Sequence, residues 1–158
     1  MDVPGRVSLA DAKTHNRGNA LLEVFRGRPW WINLIWLFCL YMACVYLPFD
    51  MFLKPVANDR EVWFGIALSG WWAKATEPVH WIIYALGAWG FWGMHRWIWP
   101  WAAVYAAQIA VGMLVWNVFD ARGRGWMAGA LTALILTIPT VALWRAKPLF
   151  SGRRTDGT

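Results

Sequence analysis

Charge is scarce in this sequence. Only 15% of its 158 residues are Asp, Glu, Lys or Arg, against 59% hydrophobic, whereas soluble domains usually carry about 25% charged residues. That balance excludes an ordinary water-soluble sphere. Cysteine is nearly missing as well: Cys39 and Cys44 are the only two. On one helix they would stand about 7.5 Å apart in rise, too far for a disulfide. A disulfide framework and a cysteine metal site are both excluded, which leaves the two thiols to packing. Histidine is limited to His15, His80 and His95. The last two fall near opposite ends of one predicted helix, about 22 Å apart, so a haem held by two histidines of one chain is excluded. Only a single-ligand haem or one shared across a dimer would remain, and no cofactor is expected. Glu77-Pro78-Val79-His80 is the only E-x-x-H. A di-iron carboxylate centre needs a second copy and further glutamates on other helices.

What the chain has in abundance is long apolar runs. Four are near the twenty residues that a helix needs to cross about 30 Å of hydrocarbon. They cover Trp30 to Phe49, Pro78 to Met94, Trp101 to Phe119 and Trp126 to Trp144, and none contains Asp, Glu, Lys or Arg. Nearly thirty polar residues precede the first run and no small-x-small cleavage site follows it, so it is expected to stay as an anchor rather than act as a cleavable signal. The predicted fold is all-α, an integral membrane four-helix bundle.

Charge orients it. Arg6, Lys13, Arg17, Arg26, Arg28, Arg96, Arg145, Lys147, Arg153 and Arg154 fall on one predicted side; Lys54, Arg60, Lys74, Arg122 and Arg124 fall on the other. The positive-inside rule then places both termini in the cytoplasm of an inner or plasma membrane. The net charge of +6 reflects orientation and anionic headgroups rather than nucleic acid, since neither an interleaved basic face nor a recognition helix is visible. Tryptophan favours the headgroup level, and most of the 15 tryptophans agree with this topology. Trp30, Trp31, Trp92, Trp97, Trp99, Trp101 and Trp144 fall near the inner boundary; Trp71, Trp72, Trp81, Trp116 and Trp126 fall near the outer one. Trp36 and Trp89 are expected at depth.

One domain is the economical organisation. Residues 1–29 form a basic cytoplasmic tail with a short surface helix over Ala20 to Phe25, residues 30–144 the four-helix domain, and residues 145–158 a second basic tail. The connection 50–77 is too interrupted to span and is expected to fold as an outer cap, with an interfacial helix from Arg60 to Leu68. Ala102, Ala106 and Ala110, then Gly129 and Ala133, then Gly87, Gly90 and Gly93 are small residues at spacings that let membrane helices approach closely. Pro139 removes a backbone hydrogen bond midway along the fourth helix and should bend it or open a local gap.

Two groups of side chains are candidates for function. Asp50, Glu77, His80, Asn117 and Asp120 all fall near the outer surface, where they would form a polar mouth and a weak metal or proton-handling site. The bland alternative for Glu77 and Pro78 is a helix start, with the carboxylate at the positive end and proline in the first turn. Within the bilayer, His80 and Tyr84 share a face of the second helix, and Tyr105 and Gln108 a face of the third. Such polar groups often only bond across helices. Together with Trp89 they could instead line a cavity for a lipid-like molecule with one polar end.

Local sequence resembles the emopamil-binding-protein-like (EXPERA) family of small membrane proteins over about Trp36 to Pro148. The residues that carry it are Leu47, Pro48 and Asp50; Trp72, Ala73 and Lys74; Gln108; and Pro139, Arg145 and Pro148. The resemblance implies a bundle of four or more helices and a sterol-like ligand. The isomerases of that family place acidic groups within the membrane to move a proton, and this chain offers Trp89 about where such a glutamate would stand. The expectation is therefore a protein that holds a lipid-like or sterol-like molecule, lined by His80, Tyr84, Trp89, Tyr105 and Gln108, without catalysis of its own. The competing expectations are a structural accessory subunit of a larger membrane complex, and an isoprenoid or sterol isomerase or quinone-linked redox protein. Expected partners are membrane lipids, a hydrophobic small molecule, and a second copy or a larger complex, but not nucleic acid.

Overall fold

The computed structural model describes Phe25 and residues 27–151. The surface helix expected over Ala20 to Phe25 lies outside these residues except for Phe25, which is helical. The described residues are mostly helical, with four long helices and one small hairpin. Helix α1 runs from Trp30 to Phe52, β1 covers Arg60–Trp63, β2 covers Ile66–Ser69, and α2 covers Trp71–Trp92. Helices α3, Ile98–Phe119, and α4, Gly125–Arg145, follow, and a short α5, Lys147–Ser151, closes the described part. The chain divides into two compact units, residues 1–35 and 36–158. In the first, Arg28 donates to the Asn33 side chain, and the Asn33 amide donates to the Phe25 carbonyl at 3.0 Å.

Helices α1, α3 and the α4–α5 stretch are long and apolar enough to cross a membrane, and only 17%, 22% and 11% of their most apolar windows are buried inside the protein. Side chains such as Leu34, Leu37, Phe38, Leu131, Leu134 and Ile138 face outward. An apolar surface of that extent is not tolerated in water, so a membrane location is the compatible one. Helix α2 is equally long but carries Lys74 and Glu77 in its first two turns. Its charge-free part starts at Pro78, and it is not among the three helices apolar enough to span.

Helix α1 changes pitch near its end. Met42–Tyr46 is a π-helical stretch and Leu47–Phe52 returns to α-helix, with Pro48 in its first positions. The wider turn falls just where Pro48 withholds an N–H from the ladder. The Ala43 carbonyl in this stretch accepts the Trp81 indole N–H at 2.8 Å, which ties α2 to α1. Lower down, Gly87 faces Cys39 so closely that a Cβ there would stand 3.1 Å from the thiol sulfur.

The expected interfacial helix over Arg60 to Leu68 is not formed. That segment is an antiparallel hairpin in which Arg60 pairs with Ser69 and Trp63 with Ile66. Phe64 and Gly65 make its two-residue turn, both with positive φ, at 51° and 87°. Two left-handed residues give the primed turn whose twist suits a hairpin, and helix cannot pass through them. Pro78 is likewise not at a helix start. Helix α2 begins at Trp71, so Pro78 is interior and leaves the Lys74 carbonyl without its intrahelical donor.

Helices α3 and α4 pack closely along their length, whereas α2 and α3 make sparse backbone approaches. Ala103 and Ala110 are buried, and a Cβ on Gly129 would stand 3.1 Å from both Asn117 Cβ and Leu114 Cδ1. Small residues there let the backbones meet. Thr132, Thr137 and Thr140 donate to carbonyls four residues earlier in α4, at 2.8, 2.8 and 3.0 Å, rather than bonding across helices. Helix α4 is continuous through Pro139.

Candidate functional site

The hairpin brings its charged residues onto the ends of α1 and α2. Asp50 comes from the last turn of α1, Asp59 from the residue before β1, Glu61 from β1 and Glu77 from the second turn of α2. Oxygens of these four carboxylates lie within 4.8 Å of one another. Asp59 and Glu77 are fully buried and Asp50 nearly so. Two lysines enter the same space. Lys54 Nζ is 3.2 Å from Asp50 and 2.9 Å from Asp59; Lys74 Nζ is 3.2 Å from Asp59 and 3.3 Å from Glu77. Lys74 also donates to the Asp50 backbone carbonyl. The lysines already occupy the oxygens of Asp50, Asp59 and Glu77 that a cation would need, so the donor set fits an ion-paired cluster better than a metal centre.

Charge balance sets the titration of this cluster. The four carboxylates outnumber the two ammonium groups, so repulsion among the carboxylates favours proton uptake by one of them. Burial raises the pKa of Glu77, the neighbouring Asp59 carboxylate adds to this, Lys74 opposes it, and the result is about 7. Burial works in the same direction on Asp59, but bonding to Lys54, Glu77 and Lys74 outweighs it and holds that group below the usual carboxylate range. Burial also disfavours the Lys54 ammonium, yet its bonds to Asp59 and Asp50 prevail and raise its pKa. Of the two, Glu77 is thus the carboxyl that takes up a proton more readily.

Beside the cluster, His80 Nδ1 lies 3.2 Å from Glu61, and the His80 ring stacks on Trp63 with centroids 4.1 Å apart. One turn below, Tyr84 meets Tyr105 of α3 edge to face at 6.0 Å and Phe38 of α1 at 5.7 Å. Aromatic side chains thus bridge α2 and α3 where their backbones stay apart. Gln108 is half-buried one turn along α3. A Cβ on Gly112, one turn further, would stand 3.6 Å from the Gln108 amide nitrogen and 3.2 Å from the Gly65 backbone nitrogen at the hairpin tip. The buried Trp63 indole nitrogen has no hydrogen-bond partner among the described residues.

Not all of the sequence candidates meet. Asp50, Glu77 and His80 gather under the hairpin, and Tyr84, Tyr105 and Gln108 lie below it. Trp89 faces outward at the far end of α2, with its ring 4.6 Å from His95 and 5.8 Å from Trp97. Asn117 and Asp120 serve the α3–α4 turn instead. Asn117 donates to the Met113 carbonyl at 2.8 Å, and Asp120 binds Arg122 at 2.9 Å. The Arg122 bonds lower the Asp120 carboxyl to about 2. Lys54, Asp59, Glu61, Trp63 and Lys74 are the residues that sequence reasoning missed. Asp50 with Lys54, and Lys74 with Glu77, stand at helical i,i+4 and i,i+3 spacings that could have signalled the pairs; nothing in the sequence signals Asp59. No protein-family model, curated protein or solved structure matches the chain.

Proposed function

We propose that this is a four-pass membrane protein that holds a lipid-like molecule in the gap between α2 and α3, its polar end beneath the hairpin. The observation that carries this reading is the orphaned indole N–H of Trp63. A buried donor left without an acceptor costs about 1–3 kcal/mol, and the ring that carries this one stacks on His80, one turn along α2 from the Tyr84–Tyr105 contact. An acceptor on a ligand, a hydroxyl or carbonyl oxygen, would satisfy it. The rings and Gln108 below offer the mostly apolar wall with few polar groups typical of small-molecule sites. Glu77 is fully buried and engaged by Lys74, which favours binding over isomerisation.

Four crossings are supported by the connections. Asp50 in α1 meets Lys74 in α2 at one end, while Phe91 of α2 meets Phe150 of α5 at the other, ring centroids 6.0 Å apart. A helix that joins both ends shares the depth of its neighbours, whatever its first two turns carry. Native mass spectrometry of the protein from lipid nanodiscs tests the binding reading. A single lipid-sized adduct is expected, and it should weaken in Trp63→Phe, which keeps the ring but removes the donor, and in Gln108→Leu. Unchanged retention in both variants overturns the site; a fixed assembly with other chains and no adduct overturns binding in favour of an accessory subunit.

A further inference from the structure

The end of the fold opposite the ion cluster holds a second candidate. A cavity of about 220 Å³ opens between the α2–α3 turn and the α4–α5 junction, lined by Arg96, Trp99, Pro100, Lys147, Phe150 and Ser151. Its two cations come from different elements, and neither makes an ion pair among the described residues. Between Pro78 and Ser151 the only acidic residue is Asp120, which is held by Arg122 at the far end of α3. Among the described residues, an anion entering this cavity meets positive charge with no carboxylate paired to either cation.

The walls are built rather than incidental. Trp99 donates its indole N–H to the Trp144 carbonyl at 2.9 Å, and the two rings pack 5.2 Å apart. Lys147 Nζ stands 5.3 Å from the Trp99 ring centroid, a cation–π contact between two of the lining residues. Phe150 is buried against Phe91 and fixes α5 in place. Trp97, Trp101 and Trp144 are exposed around this same end, and exposed tryptophans mark headgroup depth. The cavity is smaller than the 300–1,000 Å³ usual for a whole small-molecule ligand. Its volume suits a headgroup whose chains lie outside along the helices.

We propose that this cavity binds the phosphate of an anionic membrane lipid, with Arg96 and Lys147 donating to the phosphate oxygens and Trp99 and Phe150 flanking the glycerol. The site is separate from the gap under the hairpin, so either can fail without the other. The test is native mass spectrometry of the whole protein from nanodiscs of mixed phosphatidylglycerol and phosphatidylcholine. Preferential retention of one phosphatidylglycerol is expected, falling about tenfold to thirtyfold in Arg96→Gln/Lys147→Gln, the loss that two basic groups near an anionic surface produce. The charge-keeping variant Arg96→Lys/Lys147→Arg should retain most of it, which separates binding from a folding defect. Arg145→Gln, at the same end but outside the cavity, should change it little. An equal loss in Arg145→Gln would show a diffuse surface field and overturn the site. Equal retention of both lipids would overturn it too, and full displacement by inorganic phosphate would reassign it to a soluble anion.

Discussion

Asp59 is the residue on which the cap depends. It lies outside every helix, is fully buried, and holds both lysines through its two oxygens. Replacing it with asparagine leaves two ammonium groups facing each other with one counter-charge fewer. Breaking a buried ion pair from one side costs about 3–5 kcal/mol, so Asp59→Asn should lower the thermal unfolding midpoint in detergent by several degrees or more. Asp120→Asn, which loosens an exposed pair, should move it little; equal shifts would show that the cluster is not structural. Glu77 gives a pH signature. Its folded pKa lies above the unfolded value near 4.5, so its contribution is fully present below that value and is lost as pH rises through about 7. Stability should therefore fall between about pH 5 and pH 8, and Glu77→Gln, which keeps a donor facing Asp59, should flatten that slope. A slope that persists in Glu77→Gln would assign it to another group. The importance of Glu77 was legible in its sequence position. That it pairs with Asp59, eighteen residues away along an irregular loop, was not, because no helical or strand period connects them.

The helices follow from apolar run length and the absence of charge, which is why their existence was readable and their ends were not. Helix α2 starts seven residues before the apolar run because its first two turns bury Ala73 and Glu77 against the cap. The hairpin was misread because Val62, Trp63, Ile66 and Leu68 suit either a short helix or two short strands. What decides between them is Phe64-Gly65, a turn that works only with positive φ. The tip seats on α3: a Cβ on Gly65 would stand 2.4 Å from Val115 Cβ and 2.9 Å from the Gly112 carbonyl. Gly65→Ala should thus combine a strained φ with a clash and destabilise by roughly 1–3 kcal/mol. Gly125→Ala isolates the backbone part, since Gly125 also has positive φ but nothing within 4 Å of the added carbon. The expected order in thermal unfolding is wild type, then Gly125→Ala, then Gly65→Ala. If the two variants unfold together, the hairpin tip is not seated on α3 as described.

At the scale of the molecule, charge separates by end. The buried carboxylates and their lysines occupy the hairpin end, and the opposite end holds Arg96, Arg145 and Lys147 without an acidic residue beside them in the chain. The proposed orientation, with the hairpin outside and the α2–α3 turn in the cytoplasm, rests instead on lysine and arginine, of which ten fall on the side of the α2–α3 turn and both tails and five on the hairpin side. The composition of α2 alone argues against a fourth crossing, because Lys74 and Glu77 dilute it. Its contacts argue the other way, since they hold one end of α2 to Asp50 and the other to Phe150. Single cysteines at Ser69, Arg96 and Ala121, in a background where Cys39 and Cys44 are alanine, separate these readings through labelling of intact cells with a membrane-impermeant maleimide. Ser69→Cys and Ala121→Cys should react at once and Arg96→Cys only after permeabilisation. Reaction of both Ser69→Cys and Arg96→Cys from outside would mean that α2 returns without crossing, and the reverse pattern would turn the whole molecule over. The expected pattern requires that a helix carrying Lys74 and Glu77 be inserted, which the ion cluster allows because Lys74 pairs with both Glu77 and Asp59.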